Sequence, residues 1–256
     1  MEERRTRFLG VKQSEIGKYV FVPGSVERAE LIAKYFDEPV LIARQREYLT
    51  YSGHLNGEKV TVTSTGIGGP STDIVVQELH SLGAHTFLRI GSAASTSEQV
   101  RRGDVVIPNA AVRMEGTGDH YLPAEFPAVP DFRMIEELEN AAIRLGYRYN
   151  IGVTVTKDSF YTESEPETKP VYGELKYKWD SYIAGGATST SMECSVLFLL
   201  GASLGVRAAS VLISATNYND YSNDLEDYPD NIEERAIRTG IESIKSLILH
   251  DRERRG

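Results

Sequence analysis

Cysteine is almost absent from this chain, since Cys194 is the single one in 256 residues. One cysteine excludes an intramolecular disulfide framework and argues against a structural zinc site. The sequence also lacks any apolar run near the roughly 18 residues that a membrane-spanning helix needs. Its polar start, Met-Glu-Glu-Arg-Arg, is unlike a secretory signal peptide. We therefore expect a cytoplasmic protein that has no membrane partner.

Positive charge is in short supply, because 28 lysines and arginines face 37 acidic residues for a formal net charge of −9. This balance argues against general nucleic-acid binding, so no nucleic-acid partner is expected. An anionic ligand would have to be held by arginines that the fold gathers locally. The length suits one large α/β domain, which we take as residues 1–256 with its core at about 9–250.

The chain is organised around a strand–turn–helix–strand pattern between Val60 and Ser95. Val60–Ser64 alternates β-branched residues, which predicts a buried strand. A glycine-rich turn at 66–69 follows, in which backbone N–H groups can point into a cavity. A helix is predicted from about Pro70, and His85–Ile90 is predicted to be the next strand. Such a βαβ unit places its ligand crevice where the strands end.

Arginines stand at two such strand ends. Arg89 is predicted to lie at the carboxyl edge of the sheet, with Gly91 and Ser92 directly after the strand. Tyr19–Val22 repeats the pattern, and Arg28 falls in the first turn of the helix that follows it, where a cation opposes the helix dipole unless an anion lies between them. Either the arginines bind an anion or they form a structural ion pair and a solvated surface contact.

The remaining elements follow from periodicity and turn residues. Asn56-Gly57 predicts a hairpin turn, and Asp131 and Gly146 are predicted to bound a helix. Residues 157–186 have the least regular pattern, which is typical of a lid or binding loop. A helix is predicted to open at Thr188 and run to about Leu204. Further elements are predicted as strands at 40–43, 48–55, 104–113, 151–156 and 208–215, helices at 26–36 and 231–250, and an exposed acidic loop at 217–229.

Seven segments, in order from about Leu9 to Leu249, resemble the nucleoside phosphorylase-I family and are most similar to its uridine phosphorylase branch. They are PGSVERAELIAKYFDEPV, REYLTYSGHLNGEKVTVTSTGIGGPST, FLRIGS, EFPAVPDF, GVTVTKDSFY, SMEC and SLGVRAA. The resemblance implies a single α/β domain with a central, barrel-like mixed sheet surrounded by helices. It implies a hexamer built from dimers that share active sites. It also implies phosphorolysis, in which a nucleoside and inorganic phosphate give free base and (deoxy)ribose 1-phosphate without an organic cofactor.

The resemblance also assigns roles to individual positions. Arg89 and Glu193 are the expected catalytic residues, and Arg46 is expected to enter the site of a neighbouring subunit. The expected phosphate ligands are Gly24, Arg28, Arg46, Arg89 and Ser92; the sugar is expected to contact Met192, Glu193 and Phe8; the base, Phe160, Glu163, Thr168 and Tyr218; and a possible K⁺ ion, Glu47, Ile67 and Ser71.

These residue types suit the chemistry. Glycosidic cleavage passes through an oxocarbenium-like transition state. A phosphate dianion held by Arg28, Arg46 and Arg89 is both nucleophile and counter-charge. Glu193 can fix the sugar through two hydroxyl groups and favour the positive charge that develops on the ring. Cys194 has no histidine near it in sequence and is expected to serve packing.

The departures from the family pattern fall where the substrate would be recognised. Uridine-specific members carry a Gln and an Arg that bind the uracil edge, where this chain has Glu163 and Thr168, and a further Arg is replaced by Tyr218. A carboxylate cannot donate, so the uracil carbonyls lose their donors and base specificity is expected to be altered. Phe8 replaces a His that reaches the 5′-hydroxyl, which suits a 5′-deoxy or otherwise modified sugar. Ala215 stands in the region where the purine branch has an Asp.

Three functions remain open on the sequence. The first is a nucleoside phosphorylase with altered base or 5′ specificity, favoured by the three retained arginines. The second is a hydrolytic nucleosidase, which needs a water-activating acid and no phosphate clamp. The third is a non-catalytic nucleoside-binding relative. Phosphate-dependent consumption of a nucleoside separates the three.

Overall fold

The computed structural model describes residues 3–218 and 232–254. Its strands are β1 Tyr19–Phe21, β2 Asp37–Gln45, β3 Tyr48–Leu55, β4 Glu58–Thr63, β5 Thr86–Ser95, β6 Val105–Met114, β7 Tyr149–Lys157, β8 Ala187–Ser191 and β9 Arg207–Ser214. Its α-helices are α1 Val26–Ala33, α2 Gly69–Ser81, α3 Phe132–Leu145, α4 Tyr161–Ser164, α5 Tyr172–Ala184, α6 Cys194–Leu204 and α7 Ile232–Glu253. Short 3₁₀ turns occur at Gln13–Glu15, Gly118–His120 and Pro166–Thr168.

The nine strands of the described chain form one mixed sheet in the order β2-β3-β4-β1-β5-β8-β7-β6-β9, and β9 pairs back onto β5. Five strands, β5, β8, β7, β6 and β9, therefore close into a ring, and β1 to β4 extend from it. The strand β5 pairs with three others: it runs parallel to β1 and β9 and antiparallel to β8. The predicted barrel-like mixed sheet is confirmed, and a single sheet supports the predicted single domain.

Helices cover the sheet on two sides and bury a core on each. One core contains apolar residues of α1, α3 and α7, and the other contains those of α2 and α6. This is why α6 is apolar on every face, with all residues from Cys194 to Gly201 buried. In the part of the chain that the structure describes, no helix is both long and apolar enough to cross a membrane.

Local signals located several boundaries well. Asn56 and Gly57 both adopt positive φ, 49° and 72°, and link β3 to β4. The carboxylate of Asp131 caps α3 by accepting from the Met134 amide at 3.0 Å. Gly146 ends that helix in the left-handed conformation with φ 69°.

Strand β5 is longer than the sequence predicted. It continues past Ile90 to Ser95, so Gly91 and Ser92 lie within the strand and Arg89 lies at its middle. The physical reason is that Gly91 to Ser95 have small side chains, and this stretch pairs with β9 and β8 where the ring closes. The prediction that the strand ends at Ile90 was wrong.

Two further predictions were wrong on the C-terminal side. Residues 157–186 contain a 13-residue helix, α5, as well as α4, so the segment is not irregular. Thr188 opens no helix; it belongs to the buried strand β8, and the helix begins at Cys194. The β8 sequence, Ala-Thr-Ser-Thr-Ser, lacks apolar alternation because its polar side chains face other buried groups of the ring. Most of the predicted loop 217–229, and residue 231 of the predicted last helix, lie outside the described residues.

Candidate active site

A buried ion pair joins the middle of β5 to the start of α6. Arg89 Nη2 lies 2.5 Å from Glu193 Oε2, and the two side chains are only 5% and 4% exposed. The remaining nitrogens of Arg89, Nε and Nη1, are buried and have no hydrogen-bond partner in residues 3–218 and 232–254. A buried guanidinium that leaves two donors unused is costly unless a ligand accepts from them. These two nitrogens are therefore free to donate to an anion or a carbonyl group of a ligand.

Two glycines shape the space around Arg89. A Cβ at Gly91 would lie 3.0 Å from Arg89 Nη2 and 2.9 Å from the Leu212 side chain. A larger residue at this position would therefore crowd the guanidinium group. A Cβ at Gly24 would lie 3.7 and 3.8 Å from the two terminal nitrogens, which places the Gly24 backbone directly beside the guanidinium. The predicted phosphate residues Gly24 and Arg89 are thus brought together.

Arg28 reaches the same strand from α1. Its Nη2 donates to Ser92 Oγ at 2.9 Å and to the Glu233 carboxylate of α7 at 2.7 Å. Ser25 is the N-cap of α1, and its hydroxyl oxygen accepts a hydrogen bond from the Arg28 amide at 3.2 Å. Arg28 thus contacts Ser92, which lies three residues after Arg89 on β5, and each arginine also forms an ion pair with one carboxylate.

The glycine turn after β4 holds Glu193 in place. Gly68, at φ 92°, donates its amide to Glu193 Oε1 at 2.9 Å, and the Met192 amide donates to Oε2 at 3.2 Å. With Arg89, these donors occupy three of the roughly four acceptor positions of the carboxylate. One position remains for a ligand hydroxyl. Met192 is half-buried beside it.

Arg46 and Phe8 lie together on the surface. The Arg46 guanidinium carbon is 5.9 Å from the centre of the Phe8 ring, and Arg46 has φ 54°. Among the described residues, no hydrogen bond, ion pair or ring contact links either side chain to Arg28, Arg89 or Glu193. The structure of one chain does not bring these two predicted site residues to the others.

The residues predicted for a cation lie at the outer side of the glycine turn. Ser71 Oγ is 3.4 Å from Glu47 Oε1 and also contacts the Thr65 carbonyl oxygen. Ile67 is 76% exposed, and Glu47 is exposed too. No group of three or more His, Cys, Asp or Glu residues suited to a metal occurs within the described ranges. A site with one carboxylate and neutral oxygens fits a monovalent cation better than zinc.

The residues predicted for the base lie around α4. Phe160 is 56% exposed and packs edge-on against Tyr161. Glu163 is buried, and its Oε2 accepts from the Thr190 hydroxyl of β8 at 3.2 Å. Thr168 is exposed on the 3₁₀ turn and bonds to Glu165, while Tyr218 is half-buried at the end of the described segment.

Sequence reasoning missed Lys157, the last residue of β7. Its ammonium forms an ion pair with Glu163, and both side chains are less than a tenth exposed. Burial lowers the pKa of Lys157 to about 7. Lys157 lies within the family-like segment GVTVTKDSFY, but the resemblance assigned it no role. The available signal was only that a charged residue ends a buried strand.

The family of the chain follows from comparison with known proteins. The sequence profile described as "Phosphorylase superfamily" matches residues 18–248. The chain belongs to this superfamily, as the resemblance of its motifs implied, and its described residues form the barrel-like mixed sheet that the resemblance also implied.

Individual relatives are similar over nearly the whole length. A uridine phosphorylase of Treponema pallidum is 44% identical over 243 residues, which cover 95% of this chain and 94% of the relative. A uridine phosphorylase of Thermococcus kodakarensis is 36% identical, with 99% and 90% covered. A guanosine phosphorylase of Halorubrum lacusprofundi is 31% identical, with 93% and 97% covered. Relatives that act on pyrimidine and on purine nucleosides therefore share this scaffold.

Proposed function

We propose that the protein is a nucleoside phosphorylase, a pentosyltransferase that cleaves the N-glycosidic bond with inorganic phosphate and uses no organic cofactor. The observation that carries the proposal is the pair of unused, buried nitrogens on Arg89, whose guanidinium lies beside the Gly24 backbone. On the same strand, Ser92 accepts from Arg28. A phosphate dianion offers oxygens to all of these donors at once. Membership of the phosphorylase superfamily and relatives named uridine and guanosine phosphorylases support it.

The proposed reaction follows from this arrangement. A phosphate oxygen attacks C1′ of the sugar, and the electron pair of the C1′–N bond leaves with the base. The proton that HPO₄²⁻ carried passes to the base, so the products are pentose 1-phosphate dianion and neutral base. Arg89 and Arg28 hold the nucleophile, and Glu193 accepts from a sugar hydroxyl and favours the oxocarbenium character of the transition state.

The test of the function is a panel of nucleosides incubated with and without phosphate, with free base as the readout. The panel contains uridine, thymidine, inosine, cytidine and 5′-deoxyuridine. Release that requires phosphate is the expected result. Release without phosphate would make the protein a hydrolytic nucleosidase, and no release from any compound would favour a non-catalytic binding protein.

We also propose that Arg46 and Phe8 complete the active site of a second copy, within a homo-oligomer that is a hexamer built from dimers. The absence of any contact between these two side chains and Arg89 in the described residues of one chain, and the mostly exposed outer strand β2, support this assembly. If Arg46 acts across the interface, mixing an inactive Arg46→Met chain with an inactive Arg89→Met chain regenerates one intact site per mixed dimer. About a quarter of wild-type activity is expected after random reassociation.

That complementation is measured by unfolding and refolding the two variants together and assaying phosphorolysis. The control is each variant refolded alone. If the mixture is no more active than its components, Arg46 does not act in trans. A separate measurement of the mass in solution tests the oligomer, and a value near 28.4 kDa would exclude it.

Two smaller proposals remain from the sequence. Glu47, Ile67 and Ser71 are proposed to bind K⁺ where copies meet, and replacing K⁺ by choline at constant ionic strength is then expected to lower activity or melting temperature. Unchanged values in choline would exclude the cation. Cys194 is buried and unpaired, which agrees with the proposed cytoplasmic location; cell fractionation tests it.

A further inference from the structure

A cavity of about 320 Å³ lies between the end of β7 and helices α4 and α5. Its lining includes Lys157, Glu163 and Trp179. The volume is in the range of small-molecule sites and is large enough for a nucleobase. The charged pair in its wall is what distinguishes it from an ordinary surface groove.

Strand β8 links the wall of the cavity to the proposed sugar site. Thr156, which precedes Lys157, is paired with Ser191 of β8, and Glu193 follows two residues later. The Thr190 hydroxyl of the same strand donates to Glu163. The residues proposed to hold the sugar and the charged pair of the cavity are therefore attached to the same two paired strands.

Two aromatic rings flank the ammonium group. Lys157 Nζ is 5.5 Å from the centre of the Phe160 ring and 5.8 Å from that of Trp179. Aromatic faces stabilise a cation at such distances and also provide surfaces for a flat heterocycle. The arrangement suits a ring that carries partial negative charge at the lysine end.

A buried ion pair is weak evidence for stability, because apolar residues of similar volume often serve a core as well or better. This pair also lies beside a cavity instead of within a closed core. The presence of this ion pair is therefore better explained by a role in ligand binding than by a role in stability. Lysine only donates hydrogen bonds and a carboxylate only accepts them, so together they match a group that presents one acceptor beside one donor.

We infer that Lys157 and Glu163 recognise the base: Glu163 accepts from a ring N–H, and Lys157 donates to the carbonyl oxygen next to it. The inference rests on the proposed phosphorolysis and names its substrate class, nucleosides whose base carries an –NH–CO– edge, as uracil, thymine, hypoxanthine and guanine do. Lys157 supplies the donor that the sequence comparison found missing from the uracil site.

The same contact acts on the chemical step. As the C1′–N bond breaks, its electron pair moves onto the base, and part of the negative charge reaches the carbonyl oxygen. An ammonium group that faces this oxygen stabilises the departing anion more than the neutral nucleoside, which raises kcat. The base then takes the proton that phosphate carried.

The experiment compares wild type with Lys157→Met, which keeps the length of the side chain, and Lys157→Arg, which keeps its charge. With uridine, Lys157→Met is expected to lose about 10- to 100-fold in kcat. With 5-fluorouridine, whose base leaves more readily as an anion, the loss is expected to be several-fold smaller. Lys157→Arg is expected to recover most of the rate. Equal losses on both substrates would overturn the role of Lys157, because a purely structural defect does not depend on the leaving group.

Glu163 is tested through the ring N–H. Wild type is expected to discriminate strongly against N3-methyluridine, which lacks that donor, and Glu163→Ala is expected to discriminate much less. Inosine and 1-methylinosine replace this pair if inosine is the better substrate. An unchanged ratio in Glu163→Ala would overturn the role of Glu163, and the ratio is independent of the fraction of folded enzyme.

A binding measurement separates this inference from the proposed function. Trp179 is the one tryptophan of the chain, so its fluorescence reports on the cavity. Uracil with phosphate is expected to change the emission of wild type, and Lys157→Met is expected to weaken binding. If no nucleoside is consumed but uracil binding depends on Lys157, phosphorolysis fails and base recognition stands. If cytidine or adenosine alone is consumed, phosphorolysis stands and the inferred base class is wrong.

Discussion

Glu193→Gln is expected to lower kcat/KM by about 10²- to 10³-fold, the effect of removing one preorganised electrostatic group from an active site. The amide keeps the shape of the side chain but loses its charge and one acceptor position. It can no longer balance Arg89 or favour positive charge on the sugar. Steady-state kinetics with saturating phosphate measures the loss.

The same substitution is expected to cost about 3 kcal/mol or more in the free energy of unfolding, because it leaves the buried Arg89 uncompensated. Adding Arg89→Met to the variant removes the unbalanced charge. The double variant is therefore expected to be more stable than the sum of the single effects predicts, yet to stay inactive. The second substitution thus raises stability, measured by denaturant unfolding, above the additive expectation but does not restore activity.

Glu137→Gln is the matched control, since Glu137 is a buried glutamate of α3 that pairs with His250 outside the site. Its activity is expected to remain that of wild type. Full activity in Glu193→Gln would exclude Glu193 from catalysis. Strictly additive stability changes would mean that the 2.5 Å contact contributes little coupling.

Arg28→Met is expected to raise KM for phosphate by about 10- to 100-fold while KM for the nucleoside changes little. A charge-assisted hydrogen bond contributes about 1.5–3 kcal/mol, which corresponds to this range. Glu233→Gln is expected to act in the opposite direction, because Glu233 competes with phosphate for Arg28 Nη2. Initial rates over a range of phosphate concentrations measure both variants.

The control for this pair is Arg144→Met, since Arg144 also donates to a serine hydroxyl, Ser246 Oγ at 3.1 Å, but on the outer face of α3. Its phosphate KM is expected to be unchanged. An unchanged KM in Arg28→Met would remove Arg28 from the phosphate site and leave its contact with Glu233 as a structural ion pair.

The fold was predictable where a local signal determines a local conformation. Asp131 and Gly146 bound α3 because a capping carboxylate and a left-handed glycine act within a single turn. Strand β8 was not predictable in this way, because Ala187–Ser191 is polar and is buried only by the closing of the ring. Helix α5 was missed since it has no capping side chain and none of its residues is fully buried in the described chain.

The candidate site was likewise predictable only where local sequence motifs identify a residue. Arg28, Arg89 and Glu193 were found through motifs that surround each of them. Their pairings were not, because Glu193 lies 104 residues after Arg89 and only the closed sheet brings them to 2.5 Å. Lys157 lies in a family-like segment that assigned it no role, and its pairing with Glu163 depends on helix α4, which the sequence did not predict. Specificity is therefore harder to derive from this sequence than the reaction.

Strand β5 and helix α5 differ in how many neighbouring elements a substitution would disturb. Arg89 and Ser92 belong to a strand bonded to β1, β8 and β9, so a change there disturbs three neighbours at once. Helix α5, which carries Trp179 and one wall of the cavity, buries none of its residues against the described chain. Substitutions in that wall can accumulate at little cost to folding. Under the proposed roles, the residues that select the base can change in evolution while those that bind phosphate stay fixed. A library randomised in α5 is expected to yield far more folded variants than one randomised in β5.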